Sequence, residues 1–474
     1  MEAWTLRVNA PREWYPALSR RFDQVPLQVL LVAPAVAFVA LVLLTNSWAL
    51  HGFALDLELY RAYGFRIADG LPSSTWLRME YPPLSIVPML FPRIFFGTDE
   101  PSVAEYMWRF LAVAAVITVG CGWAVYRAAG QSRTALASWS AMICLSWISA
   151  ALRFDIWPVA LTLVAFLVAR RHPGLAGVLL GLGTMLKLYP IVVIGVLAAR
   201  LLANRDGWGL VRLVAGCGMV CAVVTAWSWN IAGPDSLGFL SYQGDRGLQI
   251  ESLGSSLVLA IHLLTGAHVE PVFGFGSTQI AGPGSDLLVA ISTPLLGLLV
   301  VGAGLLALRR FVIERAMTGS ISRDSLALAC AAAITAVLLG NKVLSLQYIL
   351  WLAPFVPFLP VRLRWLVLGI AGLSTWIFEF DYAGLWAFRP WMLVALIVRN
   401  ALLVWLGVQL ATGLWRVRRE TASRPTVERS RPLPARVRTI HGPAYPHLPA
   451  PGHVPDVATM SNVAPAARRV NASG

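Results

Sequence analysis

The chain has 474 residues, 57% of them hydrophobic and 13% charged, with a mean hydropathy of +0.67 and a formal net charge of +14. Soluble domains carry about 25% charged residues, so this composition excludes a soluble enzyme and points to a polytopic all-α membrane protein. The positive excess does not mark a nucleic-acid binder: residues 416–474 hold ten Arg against Glu420, Glu428 and Asp456, and the remainder is spread over short turns.

Apolar runs predict about twelve spans, near 27–48, 106–126, 134–151, 155–169, 175–188, 190–203, 210–230, 287–308, 325–340, 344–360, 365–379 and 390–414. The N-terminal stretch "APREWYPALSRRFDQ" leads into a first span too long for a signal-peptide core, with no small-residue cleavage site, so no cleavable leader is expected. Arginine sets the orientation. Alternate turns carry Arg127 and Arg133; Arg170 and Arg171; Arg200, Arg205 and Arg212; Arg309, Arg310, Arg315 and Arg323; Arg362 and Arg364. The turns between them carry one basic residue each: Arg153, Lys187, Lys342 and Arg389. The positive-inside rule therefore puts residues 1–26 and the tail 416–474 in the cytoplasm and the sparse turns outside. Residues 81–96 are apolar but hold four prolines, and a crossing there would invert every later turn; this segment is read as re-entrant or interfacial.

Two outer loops are long, at about 49–105 and 231–286, and the second has an amphipathic helix near 251–265. The transmembrane domain expected spans 27–415 and contains both loops. The tail, with nine prolines and ten arginines, reads as disordered and suited to anionic lipid. Five cysteines all fall in apolar runs without acidic or histidine neighbours, so they read as core residues rather than a metal site. Arginine outnumbers lysine 36 to 2, which suggests a GC-rich bacterial genome.

The first outer loop concentrates chemistry. It carries Asp56, Glu58, Asp69 and Glu80 with Arg61, Arg66 and Arg78. Asp56 and Tyr60 are spaced i, i+4 and share one face of a helix. A carboxylate a few residues beyond a span sits at the lipid–water boundary, where partial burial raises its basicity. The outward cations are Lys187, Lys342, Arg153 and Arg246, suited to an anionic group at that depth, although lysines at span ends also snorkel to headgroups. Pro190 starts the helix after Lys187 and fixes its direction. Asp155, beside Arg153, reads as an ion-pair partner or a sugar contact. Glu251, Gln249, Gln347 and Tyr348 are further hydroxyl partners. Arg399 and Asn400 lie mid-span, where a charge is a functional candidate or an inter-helix tie. Asp56 and Glu58 could hold Mg²⁺, but nothing requires a divalent metal or any other cofactor.

Taken in order, "DLELY", "ADG", "YPPL", then "RFDIWPVALTLVAFLVARR" with "LAGVLLGLGTMLKLYP", "DRGLQIESL" and "NKVLSLQYILWLAPF" resemble glycosyltransferase family 87 of the GT-C superfamily, over roughly 50–360. Leu346 stands where that family often has proline. The resemblance implies a GT-C architecture and transfer of a hexose, typically mannose, from a polyprenyl-phosphate donor. The acceptor would be lipid- or glycan-linked, at the outer face of the plasma membrane, in cell-envelope biosynthesis. It further implies that Asp56 is the general base, with Glu58 its nearest competitor, and favours phosphate or sugar binding by Lys187 and Lys342. With the residue reading above, the expected substrate contacts are Lys187, Lys342, Arg246, Arg153, Tyr60, Glu58, Asp155, Glu251, Gln347 and Tyr348. The alternative is a transporter or flippase of lipid-linked glycans. Transporters show internal repeats and midplane polar groups; no repeat is visible, and the charges cluster outside.

Overall fold

The computed structural model describes residues 22, 24–44, 56–65, 80–94 and 101–416. The tail beyond 416, most of the N-terminal segment, and Arg66, Asp69 and Arg78 lie outside the described residues. The fold is helical and polytopic, as composition requires. Among the described residues the strands form a single two-stranded hairpin. Among the described residues six helices are long and apolar enough to cross a bilayer, including Val103–Ala128, Ser285–Thr318, Val361–Trp386 and Pro390–Trp415.

The arginine-rich turns gather at one end of the bundle, where they close helix C-termini. Arg200 donates to the Ala169 carbonyl after helix Ile156–Val168, at 3.2 Å. Arg315 reaches Ala203, the last residue of Ile191–Ala203, and Arg323 reaches Ala128, the last of Val103–Ala128. Arg309 and Arg310 bind the carbonyls of Trp415 and Arg416, at 2.8 and 3.0 Å. The last carbonyls of a helix have no partner within it and carry its negative dipole end. A guanidinium from a neighbouring helix satisfies both and clips two helices together.

Three consecutive helices are short: Ile156–Val168 (13 residues), Pro173–Leu186 (14) and Ile191–Ala203 (13). At 1.5 Å per residue they span about 20 Å, against about 39 Å for the 26 residues of Val103–Ala128. Arg315 ties the end of Ile191–Ala203 to the long helix Ser285–Thr318, and Arg200 ties the end of Ile156–Val168 to Ile191–Ala203 in turn. The opposite ends of the short helices therefore stop short, and the turns there are sunk into the bundle. Pro173–Leu186 gains close contact through glycine. A Cβ on Gly177 would collide with the Leu213 carbonyl, and one on Gly181 with Cys217 of helix Gly207–Ala232. Small residues at four-residue spacing allow this approach in lipid.

The expected helical span at 344–360 is not an α-helix. The chain leaves the arginine-poor end at Lys342 and arrives at the arginine end as 3₁₀ segments, Leu346–Leu352 and Val356–Phe358. Pro354, Pro357 and Pro360 fall every third residue. Each lacks an N–H and clashes with the preceding turn of an α-helix, whereas three residues per turn suits a 3₁₀ path. Residues 343–359 are buried apart from half-buried Ser345, so the irregular backbone meets protein rather than lipid. The 134–151 span is also broken, into Arg133–Leu145 and Trp147–Ala151. Within 81–96 a 3₁₀ turn, Pro83–Ser85, leads into the nine-residue helix Ile86–Ile94, too short to cross alone.

The second long loop folds as helix Gly238–Asp245, helix Leu253–Thr265 and a hairpin pairing Glu270–Gly274 with Ser277–Ala281. Phe275 and Gly276 at its tip have positive φ (52° and 63°), the backbone a tight hairpin needs. The preceding strand-like stretch ties on through Ile250 N–H to Thr278 O (3.0 Å) and Ile280 N–H to Leu248 O (2.9 Å).

Candidate active site

Residues 56–65 are helical, and Asp56 and Tyr60 share the inward face. Tyr60 is fully buried, with ring centroids 5.5 Å from Phe154, 6.0 Å from Phe110 and 6.5 Å from Tyr81. Asp56, one turn earlier, remains 23% exposed at its side chain and forms an ion pair with Arg153. Burial pushes the Asp56 carboxyl above the usual carboxylate range; the charge of Glu80 adds to that, while Arg153 and Lys187 oppose it. Glu58 is exposed and points away from this face.

Lys187 and Asp155 meet in the sunken turns. The Lys187 ammonium lies 2.8 and 2.7 Å from the two Asp155 carboxylate oxygens. The Trp351 indole N–H donates to Asp155 Oδ1 at 2.8 Å. Trp351 belongs to the 3₁₀ traverse and is stacked between Tyr189 (4.3 Å) and Tyr348 (4.1 Å). Lys187 caps the C-terminus of Pro173–Leu186 in an extended conformation, which turns its side chain inward from the helix line.

The first and second loops meet over this pair. Glu80 hydrogen-bonds the Tyr242 hydroxyl, and its backbone carbonyl accepts from Gln243 Nε2 at 3.3 Å. Arg246 donates to Ser277 Oγ at 2.7 Å and lies 5.8 Å over the Tyr242 ring, while its Nε has no partner. Lys342 donates to the Gly244 carbonyl at 2.6 Å, and its own carbonyl accepts from Gln249 N–H at 3.1 Å. Gln347 is buried, with its Oε1 unpartnered. The charges of Arg246, Asp155, Glu80 and Arg153 all act on Tyr348, whose ring also lies 5.4 Å from the Lys187 ammonium.

Glu251 anchors the second loop to the last two helices. Its carboxylate accepts from the Tyr382 hydroxyl at 2.9 Å and lies 3.8 Å from Arg399. Arg399 and Asn400 also donate to its backbone carbonyl, at 3.0 and 3.2 Å, and Asn400 reaches Ser256 Oγ at 2.6 Å. Burial raises the Glu251 carboxyl above its ordinary range, against the pull of Arg399 and Tyr382. The mid-span Arg399 and Asn400 thus tie a span to the outer loop, not to another span.

Asp56, Tyr60, Arg153, Asp155, Lys187, Arg246, Glu251, Lys342, Gln347 and Tyr348 all lie at the end opposite the arginine clips. Glu80, Trp351, Tyr242 and Tyr382 also build the site without having been singled out in the sequence. Glu80 was visible as a charge in the first loop; Trp351 is one of nineteen tryptophans and gave no signal. Among the described residues no group of three His, Cys, Asp or Glu is placed to hold a metal ion. A cavity of about 530 Å³, lined by Ala128, Arg323, Phe358 and Arg364, belongs to the arginine end and not to this site.

A family model described as glycosyltransferase family 87 matches residues 79–339, more than half of the chain. The chain belongs to that family and is a membrane glycosyltransferase. The matched region contains Glu80, Arg153, Asp155, Lys187, Arg246 and Glu251; Asp56, Lys342, Gln347 and Tyr348 lie outside it. No curated protein and no solved structure matches the chain.

Proposed function

We propose that the protein transfers a hexose, mannose by family resemblance, from a polyprenyl-phosphate donor to a lipid- or glycan-linked acceptor at the outer face of the plasma membrane. The observation that carries this reading is the half-buried Asp56 carboxylate, aimed by Arg153 at the bundle end that lacks arginine clips. Asp56 takes the proton of the acceptor hydroxyl. The acceptor oxygen bonds to the anomeric carbon as the bond from that carbon to the donor phosphate oxygen breaks. The phosphate leaves with both electrons of that bond and a full negative charge. Arg246 and Lys342, on the second loop and the turn it covers, are the cations assigned to it. Gln347, with its unpartnered oxygen, and the Tyr348 ring are assigned to the sugar.

The recess suits the chemistry. The donor's isoprenoid tail stays in lipid while its headgroup enters the sunken end, where removal of bulk water strengthens each fixed charge. The positive-inside rule supports placing this end outside and both termini in the cytoplasm. Asp56→Asn keeps shape and removes the base. In reconstituted membranes with radiolabelled polyprenyl-phosphate-mannose, it should lower transfer by about 10²–10⁴-fold with normal insertion. Full activity in that variant would remove Asp56 from the reaction, and glycan movement without bond formation would favour a transporter.

A further inference from the structure

We propose that Lys187 and Asp155 form a positioning pair that keeps the Arg153 guanidinium on Asp56, and that Lys187 does not bind the donor phosphate directly. The proposal rests on the reading of Asp56 as base. Its grounds are geometric. Lys187 is 7% exposed and gives two close contacts to Asp155. Four rings surround the ammonium: Phe154 at 5.1 Å, Tyr348 at 5.4 Å, Tyr81 at 5.6 Å and Trp351 at 5.7 Å. An ammonium so enclosed is held by ring faces and one carboxylate, and a lipid phosphate would have to displace an aromatic wall to reach it.

The Asp155 side chain is fully buried, and its Oδ1 already accepts from both Lys187 and Trp351. Arg153 stands two residues away in the same turn. Phe154 lies between them, packed on Tyr60 and Tyr81 at 5.5 and 4.9 Å. Arg153 therefore stands between two carboxylates: Asp155, two residues on in the chain, and Asp56, its ion-pair partner in space. It pairs with Asp56 because Lys187 occupies Asp155. Without the Lys187 charge, Asp155 would be a buried carboxylate lacking a cation, a costly state that the neighbouring guanidinium relieves. Arg153 would turn inward, and Asp56 would lose the group that aims it.

The test uses the full-length protein in lipid nanodiscs, with polyprenyl-phosphate-mannose for turnover and polyprenyl phosphate alone for binding. Lys187→Met should lower kcat by about 10²-fold through misplacement of the base and leave the donor KM and the polyprenyl phosphate Kd unchanged. The acid limb of its kcat–pH profile should move to higher pH, because Asp56 keeps its burial and the repulsion of Glu80 but loses both the direct pull of Lys187 and that of Arg153. Tyr60 and Tyr81, the other titratable groups around it, are the same in every variant. Lys187→Met with Asp155→Asn removes the competing carboxylate, and should recover most of kcat and bring the acid limb back by the share that Arg153 supplies, leaving only the shift due to the missing Lys187 charge.

A rise of about tenfold or more in polyprenyl phosphate Kd, the size expected for a lost charged hydrogen bond, would make Lys187 a phosphate ligand and overturn the proposal. So would a double variant as slow as the single one. If Lys187→Met fails to fold, the double variant decides by the same two measurements. Full activity of Asp56→Asn would overturn the base reading and with it the relay, while unchanged Kd values would still separate Lys187 from the phosphate.

Discussion

The two ends of the bundle use their cations in opposite ways. At one end arginines are spent on backbone: Arg200, Arg309, Arg310, Arg315 and Arg323 each close the carbonyl end of a neighbouring helix. At the other end cations meet carboxylates or keep donors spare, although Lys342 and Arg399 also reach backbone carbonyls of the second loop. Arg153 holds Asp56, Lys187 holds Asp155, Arg399 approaches Glu251, and Arg246 keeps an unpartnered Nε. At the first end the guanidinium groups are met mainly by neutral carbonyls, with Glu314 beside Arg310 the acidic partner. At the second end the pairs Arg153–Asp56, Lys187–Asp155 and Arg399–Glu251 are buried or half-buried, while Arg389–Asp381 lies nearer the surface. The first pattern suits a scaffold, and the second suits a site whose electrostatics must change when substrate arrives.

The largest effects should come from the paired end. Arg246→Gln together with Lys342→Gln should reduce kcat/KM for the donor by about 10²-fold or more, since charged hydrogen bonds contribute about 1.5–3 kcal/mol each; steady-state transfer kinetics would show it. Arg399→Leu leaves the Glu251 charge buried and unpaired, and should lower stability by about 3–5 kcal/mol. Adding Glu251→Gln should recover part of the loss, read as melting temperature in detergent. Wild-type kcat should fall on acidification with a midpoint above the ordinary carboxylate range, because burial raises Asp56 and the base must be ionised to act. A limb at the ordinary value would mean that the titrating group is not Asp56.

The smallest effects should come from the clipped end. Arg315→Gln or Arg323→Gln should each cost about 0.3–1 kcal/mol, the worth of a cation at a helix C-terminus, with donor kinetics unchanged. A loss of transfer in either would break the contrast between the two ends.

The class of the protein was legible from composition, and the segregation of charge from the spacing of arginines along the chain. Asp56 with Tyr60 could be placed on one face because their i, i+4 spacing is local. The pairings could not. Lys187 lies 32 residues from Asp155, and Trp351 lies 196 from it. Apolar residues throughout these stretches gave no periodicity to say which faces meet. The 344–360 run read as a helix because hydropathy ignores backbone donors; Pro354, Pro357 and Pro360 at a three-residue interval were the signal against it. The short middle helices were visible as short apolar runs, but their consequence, a sunken end, depends on which termini are tied together.

The 3₁₀ traverse also sets a limit on how this chain can change length. With three residues per turn, inserting or deleting one residue between Leu346 and Leu352 rotates everything beyond it by about 120°. Trp351 would leave Asp155, Tyr348 and Tyr189, and proline rings would swing toward packed neighbours on other faces. A surface loop absorbs such a change as slack; a buried strut has none. Residues 343–359 should therefore accept substitutions of similar volume while refusing any change in number, a counting constraint imposed from inside the bundle.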